Sequence, residues 1–512
     1  MRSQMHLTLI LFVVSVAVLL VFGRYSVVEL PGGVAFHSGD DHMITQRVAW
    51  NFFNTGRPEF NRGEAVAANT SLFWPIILSP VYAIFGLQNA VMAVITLSCV
   101  LSGLTIVLAV RLLESPLAQA VAAVFLTLTA SFLYLGPTAW EHIPQTLLVT
   151  LAFLGVLRAS QGQRLPVVPI SSLWLMAAAF LVRPDTAPLV ALFVGTWFVT
   201  ERNYAKSKSY LILAGLCVAP LVYLALMHAF YGEFVPNTAH LKVQGFRESV
   251  QLGVYHVTSS RAGIFPLLLL VLLLLRPRDA GAAFVILAGL IQVSYVIAIG
   301  GDVFFGGRFF IVLLPIVTVT LLRELEWRSS SAFIRRGVLA ALAFVAMVSF
   351  AQFLTRPNNN AIAEQVRIAD ALSERIAPAD GSVGLHYLGI GYHLPAFHVV
   401  DFLGKAEPVI ARSPAKFGPI GHNKWDYDYA FSAYEIAAFP FPAFRVDAVA
   451  QPDYAPPDDL DLLGPWMSAA YFMSTAKTHT FMRPEVFGNS PGGFGLFVRN
   501  DLLDRFGDLG AN

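Results

Sequence analysis

Apolar stretches recur along this chain at lengths that suit a lipid bilayer. A helix needs about 20 predominantly apolar residues to cross the hydrocarbon core. Runs at 7–23, 71–86, 89–110, 117–135, 143–157, 168–182, 186–200, 209–230, 263–275, 281–299, 309–323 and 333–354 approach or reach that length. The pattern predicts a polytopic α-helical membrane protein. From residue 355 onward no run is long enough. There, 361–376 reads as a helix, with Ile368, Leu372 and Ile376 at i, i+4 spacing and Ile362 and Val366 repeating it upstream. A strand-like piece near 381–388 and many aromatic loops follow, so residues 355–512 are expected to form a small extracytoplasmic α/β domain.

Charge decides how the runs thread the membrane. The weak run is 71–86, which is short and carries Pro75 and Pro80. If it crosses, Arg158, Arg164, Arg202, Lys206, Lys208, Arg276 and Arg278 all fall outside, against the positive-inside rule. If it is a juxtamembrane or re-entrant helix in a first outer loop, 24–88, those cations fall inside together with Arg2, Arg111, Arg323, Arg328, Arg335 and Arg336. The second arrangement predicts about eleven transmembrane helices within 1–354, the N-terminus inside and the tail outside. Residues 7–23 have the length of a signal-peptide core, but no small-x-small cleavage site follows at Phe22-Gly23-Arg24-Tyr25, so the run is read as an uncleaved helix.

Composition agrees. The chain is 56% hydrophobic and 13% charged, with a mean hydropathy of +0.62; a soluble domain is about 45–50% apolar and about 25% charged. A net charge of +1 signals no nucleic-acid partner. Cys99 and Cys217 lie in apolar runs, without disulfide or metal-ligand spacing.

The predicted topology gathers polar residues of both signs on the outer side: Asp40 and Asp41, Arg47, Glu141 and His142, Arg183 and Asp185, 231–261, Asp302 and Arg308. Singly, each has a structural reading: Arg183 and Arg308 as snorkelling cations, Asp302 or the Asp40-Asp41 pair as helix caps, Glu141-His142 as a solvated loop. Their recurrence on one face favours a site at the membrane–water boundary, where ionisable groups are costly and usually functional. No phosphate-cradling glycine loop, His/Cys metal cluster or Gly-x-Ser-x-Gly elbow is present. Carboxylates able to take a proton from a hydroxyl, beside cations able to hold a departing phosphate, fit group transfer from a lipid-phosphate donor.

Ordered motifs carry a family resemblance. Gly39-Asp40-Asp41-His42-Met43-Ile44-Thr45-Gln46-Arg47-Val48-Ala49-Trp50-Asn51 resembles the first-loop signature of bacterial GT-C glycosyltransferases, in particular the terminal β-(1→2)-arabinofuranosyltransferase group. Asn69-Thr70-Ser71-Leu72-Phe73-Trp74 is similar to that group's Thr-Asn-x-Leu-Trp stretch. Arg183-Pro184-Asp185, Tyr231-Gly232-Glu233-Phe234-Val235-Pro236-Asn237-Thr238 with Lys242, and Gly300-Gly301-Asp302 through Arg308-Phe309 resemble further motifs in family order. Asp401-Phe402-Leu403-Gly404 and Gly421-His422-Asn423-Lys424 resemble its extracytoplasmic landmarks. Thr138-Ala139-Trp140-Glu141-His142 departs, being only loosely like the family's Gly-Leu-Glu.

The resemblance implies a GT-C fold in the bacterial inner membrane, with its site on the periplasmic side. It implies a polyprenyl-phosphate sugar donor and an extracytoplasmic glycan or pilin-like protein acceptor. Asp40 is then the first choice for the catalytic carboxylate and Asp41 the second. Arg183, Lys242 and Arg308 are carried over as donor-phosphate residues, and Glu141, His142, Asp185, Asn237, Asp302 and His422 as lining for sugar and acceptor. As in some such enzymes, a divalent cation at Asp40 or Asp41 is allowed, with no ligand set specified. Inversion and retention both stay open. The rivals are a transferase of mannose or an aminopentose to a glycan, protein or lipid A, and a lipid-linked sugar flippase, whose usual internal repeats are not evident.

Overall fold

The structure is a computed structural model that describes residues 2–24, 27–30, 33–36, 40–138, 140–200, 207–259, 262–277, 279–304, 307–328, 332–354, 360–416, 420–442, 481–487 and 494–506. Ser38 and Gly39, Phe305 and Gly306, and the cations Arg202, Lys206, Arg261 and Arg278 lie outside the described residues. The chain divides into two compact units. The first comprises Met1–Tyr25, Met92–Leu226 and Gly245–Arg356; the second comprises Ser26–Val91, Met227–Gln244 and Pro357–Asn512.

The first unit is helical. Among the described residues, four helices are long and apolar enough to cross a membrane: Gln4–Gly23, Phe73–Val110, His142–Ala159 and Ala280–Ala298. The pair Pro116–Leu128 and Ala130–Thr138, bent by 54°, counts as a fifth if it is one span. Shorter apolar helices are Ile170–Val182, Gly215–Tyr231, Phe265–Leu274 and Arg336–Ala351. These helices fall on the apolar runs of the sequence. The Phe73–Val110 helix breaks at Gly86, where φ is 70° and ψ is 175°, a conformation that glycine reaches without a Cβ penalty. The break separates 71–86 from 89–110. Ser115 starts the Pro116–Leu128 helix by accepting the Ala118 N–H, and Pro116 takes the first helical position, where its missing N–H costs nothing. Phe153, Phe193 and Phe284 meet at centroid distances of 4.9, 5.0 and 5.6 Å and lock three helices together. The Phe246–Thr258 helix lies so close to Ala280–Ala298 that a Cβ on Gly253 would stand 2.2 Å from the Ile297 carbonyl oxygen.

The second unit is mixed. Strands β1 (Val27–Leu30) and β2 (Gly33–Phe36) form an antiparallel hairpin. A five-stranded sheet is built from β3 (Ser382–Leu385), β4 (Val399–Asp401), β5 (Ile436–Pro442), β6 (Phe481–Phe487) and β7 (Phe494–Arg499), in the order β4-β3-β5-β7-β6. β3 runs parallel to β4 and β5; β7 runs antiparallel to β5 and β6. Its core gathers Val400, Phe402, Trp425, Tyr427, Phe431, Phe439 and Phe497. Helix Asn360–Arg375 matches the 361–376 stretch read as helical to within one residue at each end, and Val366, Ile368, Leu372 and Ile376 are buried.

Helix Asp40–Thr55 packs on the tail through a buried arginine. The Arg47 guanidinium donates to the carbonyls of Phe60 (2.8 Å), Leu394 (3.1 Å), Phe397 (2.7 Å) and Gly391, and to Asn61 Oδ1 (3.3 Å). It also lies 4.5 Å over the Phe60 ring. Asn61 donates to the Val399 carbonyl (2.9 Å) and accepts from its N–H (3.1 Å), so one side-chain amide pairs with β4 as a strand would. Glu64 joins the same seam, accepting from Asn61 (2.9 Å) and bonding His398 Nε2 (2.7 Å), while His398 Nδ1 meets Ser382 Oγ at 2.9 Å.

Replacing Arg47 by Met leaves the Phe60, Gly391, Leu394 and Phe397 carbonyls without this donor, and is expected to cost about 3 kcal/mol or more. Thermal unfolding of the purified protein checks it. Burial alone would raise the Glu64 carboxyl, but bonds from His398 and Asn61 hold it below its ordinary value of 4.5. A depressed carboxylate gives stability that is present above its ordinary pKa and lost as pH falls through the folded value. The unfolding midpoint should therefore drop on acidification below about 4.5, and Glu64→Gln should flatten that drop.

Candidate active site

Helix Asp40–Thr55 opens with two carboxylates in its first turn, where the helix dipole favours anions. Asp40 points inward with its side chain 6% exposed; Asp41 follows at 31%. Asp40 Oδ1 accepts the backbone N–H of Gly389, and Oδ2 accepts from Lys405 Nζ. The same ammonium donates to Asp41 Oδ1 at 2.9 Å. Lys405 is 9% exposed, so one buried cation bridges two adjacent carboxylates. Burial pushes the Asp40 carboxyl up from its ordinary value, and Asp41 adds to the push, against Lys405 and Gly389. Burial alone would lower Lys405, but Asp40 and Asp41 hold it above its ordinary value.

The turn that carries Lys405 is held from three sides. Asp401 Oδ1 accepts the Leu403 N–H (2.9 Å) and Oδ2 the Ala406 N–H (2.7 Å). Asn237 Nδ2 donates to the carbonyls of Gly404 (2.8 Å) and Lys405 (3.0 Å). Gly404 has φ 85°, and a Cβ there would stand 2.8 Å from Ala411 N, so only glycine fits. Burial pushes the Asp401 carboxyl up to about 6, against those two N–H bonds. The resemblance casts Asn237 as substrate lining; here its side chain serves the lysine turn. Lys242 is half-buried at the end of the short Asn237–Leu241 helix, and His422 is half-buried in the loop before Asn423 and Lys424.

A second constellation lies within the first unit. Arg183, the C-cap of helix Ile170–Val182, places Nε and Nη2 on Asp185 Oδ2 (3.0 and 2.6 Å) and Nη1 on Glu141 Oε1. Gln145 donates to Asp185 (2.9 Å) and to Thr186 (2.7 Å). Arg308 forks onto Asp302 through two bonds of 2.8 Å. Its guanidinium lies 4.4 Å from the Phe304 ring, 5.1 Å from Trp140 and 5.3 Å from Phe309. The His142 ring is 5.6 Å from Trp140 and 6.1 Å from Phe309. The consecutive residues Trp140, Glu141 and His142 thus tie the two arginine clusters together. Two cations face three carboxylates, and each guanidinium is already engaged by acid.

Lys405 is the residue that sequence reasoning missed. It directly follows the Asp401-Phe402-Leu403-Gly404 landmark, which was the available signal. A divalent ion does not fit at Asp40 and Asp41 as they stand, because an ammonium fills the position between them. Among the described residues no group of three His, Cys, Asp or Glu side chains is arranged to hold a metal.

No protein-family model matches the chain. Over 331 residues it is 28% identical to a terminal β-(1→2)-arabinofuranosyltransferase of Mycobacterium tuberculosis, a match covering 55% of this chain and 52% of that protein. The chain thus spans about half the length of that relative. In fold it is similar to ArnT from Cupriavidus metallidurans in the apo state, with a TM-score of 0.56 and 15% identity, covering 96% of this chain and 97% of that one. The same protein bound to undecaprenyl phosphate gives a TM-score of 0.54 at 15% identity, covering 98% and 99%. The chain therefore has the GT-C fold of these structures, and in sequence it resembles a terminal β-(1→2)-arabinofuranosyltransferase.

Proposed function

We propose that this protein is a membrane glycosyltransferase that moves a pentofuranosyl group, arabinofuranose, from a polyprenyl phosphate to an extracytoplasmic glycan or protein acceptor. The observation that carries the reading is the Asp40–Lys405–Asp41 centre, set in a chain whose sequence resembles an arabinofuranosyltransferase. The undecaprenyl phosphate bound to ArnT supports a polyprenyl phosphate as the lipid carrier.

In this reading about eleven helices cross the bacterial inner membrane, and the 24–88 loop and residues 355–512 lie on the periplasmic side. The distribution of Lys and Arg and the break at Gly86 support that arrangement. A carboxylate of the pair takes the proton of the acceptor hydroxyl. The acceptor oxygen bonds to the anomeric carbon as the carbon–oxygen bond to phosphate breaks, and the electron pair leaves with the polyprenyl phosphate. We assign Arg183, Arg308 and Lys242 to that phosphate, and Glu141, His142, Asp185, Asp302 and His422 to sugar and acceptor. Asn237 acts through the turn that it holds.

The test is purified protein in lipid with polyprenyl-phospho-arabinofuranose and an arabinofuranosyl oligosaccharide. Sugar transfer with release of polyprenyl phosphate is the expected result, and changing Asp40 and Asp41 together to Asn should slow it by about 10²–10⁴-fold. Transfer only from a mannosyl or aminopentosyl donor would move the reading to another sugar. Lipid movement without transfer would make the protein a flippase.

A further inference from the structure

We propose that Asp40 and Lys405 form one buried positioning pair and that Asp41 is the carboxylate that meets the acceptor hydroxyl. The assignment rests on the transferase reading and divides the labour within its site.

Asp40 is enclosed. One carboxylate oxygen accepts the Gly389 N–H and the other accepts from Lys405, with the side chain 6% exposed. The wall at Gly389 is tight: a Cβ there would stand 2.9 Å from Asp40 Oδ1 and 2.2 Å from the Asp40 carbonyl oxygen. No sugar hydroxyl fits between that wall and the carboxylate without moving the tail. Asp41, one residue on in the same helical turn, is 31% exposed and bonds the same ammonium from the outer side.

Lys405 is a fixed part of the centre. Asp401, Asn237 and the left-handed Gly404 over-determine its turn, so its ammonium is delivered to one place. Burying a lysine against two acids costs desolvation and is weak evidence for stability in itself. Placed here, the cation keeps adjacent acids from sharing a proton and fixes the rotamer of Asp41. Among the described residues, Tyr387, whose hydroxyl burial and Asp40 push up to about 12, and Asp401 also feel this centre. In the transfer step the acceptor proton goes to Asp41, the acceptor oxygen bonds to the anomeric carbon, and polyprenyl phosphate departs with the electron pair of the broken bond.

Two measurements on the full chain test this. The first needs no turnover: carbodiimide labelling of carboxyls in the wild type, read by mass spectrometry, with D40N and D41N fixing the site. Asp41 should label and Asp40 should be protected; equal labelling overturns the division. The second is transfer kinetics against pH. D41N should lower kcat by about 10²–10⁴-fold with little change in acceptor KM, and D40N by only about tenfold. Lys405→Met removes a cation beside carboxylates, so the rising limb of kcat/KM should move to higher pH by about one unit or more. Lys405→Arg should keep the limb in place, a rescue that a merely structural role would not predict. A D41N protein within about threefold of wild type, beside a D40N protein that is inactive, overturns the assignment. So does a Lys405→Met variant that is folded by thermal unfolding and has an unmoved limb. Wild type that labels as expected but transfers from no donor overturns the transferase reading itself, and the role of Asp41 with it.

Discussion

Two carboxylates on consecutive residues repel one another, and burying one of them makes that repulsion expensive. The second unit resolves the conflict with a single ammonium, Lys405, placed against both. Much of the surrounding structure makes that placement repeatable. Asp401 and Asn237 hold the turn, Gly404 allows its left-handed backbone, and Gly389 closes the wall behind Asp40. Arg47 then fixes the helix that carries the acids to the segment that carries the wall, through carbonyls at Gly391, Leu394 and Phe397. Each bond is modest singly; together they make the geometry of the acid pair a property of the tail.

The first unit follows the same rule with the signs arranged differently. Arg183 and Arg308 are buried, and each is matched by carboxylate: Glu141 and Asp185 for one, Asp302 for the other. Aromatic rings complete the surroundings of Arg308, as suits a planar cation away from water. Both arginines are therefore pre-organised and already neutralised. A phosphate that engaged them would join a charge cluster with more acid than base, so its binding energy would come from geometry and desolvation more than from net positive charge.

The apolar helices were legible in the sequence because hydrophobic length and helical period are local properties. Helix His142–Ala159 against 143–157, and Ala280–Ala298 against 281–299, differ from the reading by a residue or two. The Gly86 break also sits where a short, proline-bearing run suggested a separate piece. The acid pair was legible too, as adjacent carboxylates that open helix Asp40–Thr55. The β1–β2 hairpin was not, because its strands are short and carry no alternation long enough to read.

By itself the sequence determined where apolar helices form, where the acids lie and which family's motifs the chain resembles. Only the tertiary structure decided which charges meet. Lys405 lies 365 residues from Asp40, and nothing in a local window links them. Their contact depends on a left-handed turn, on Asn237 reaching two carbonyls, and on the tail packing with the first loop in one unit. Asn237 and Asp401 show the same limit: the resemblance carried one over as substrate lining and the other as part of a landmark, while only the fold revealed that both hold the lysine turn.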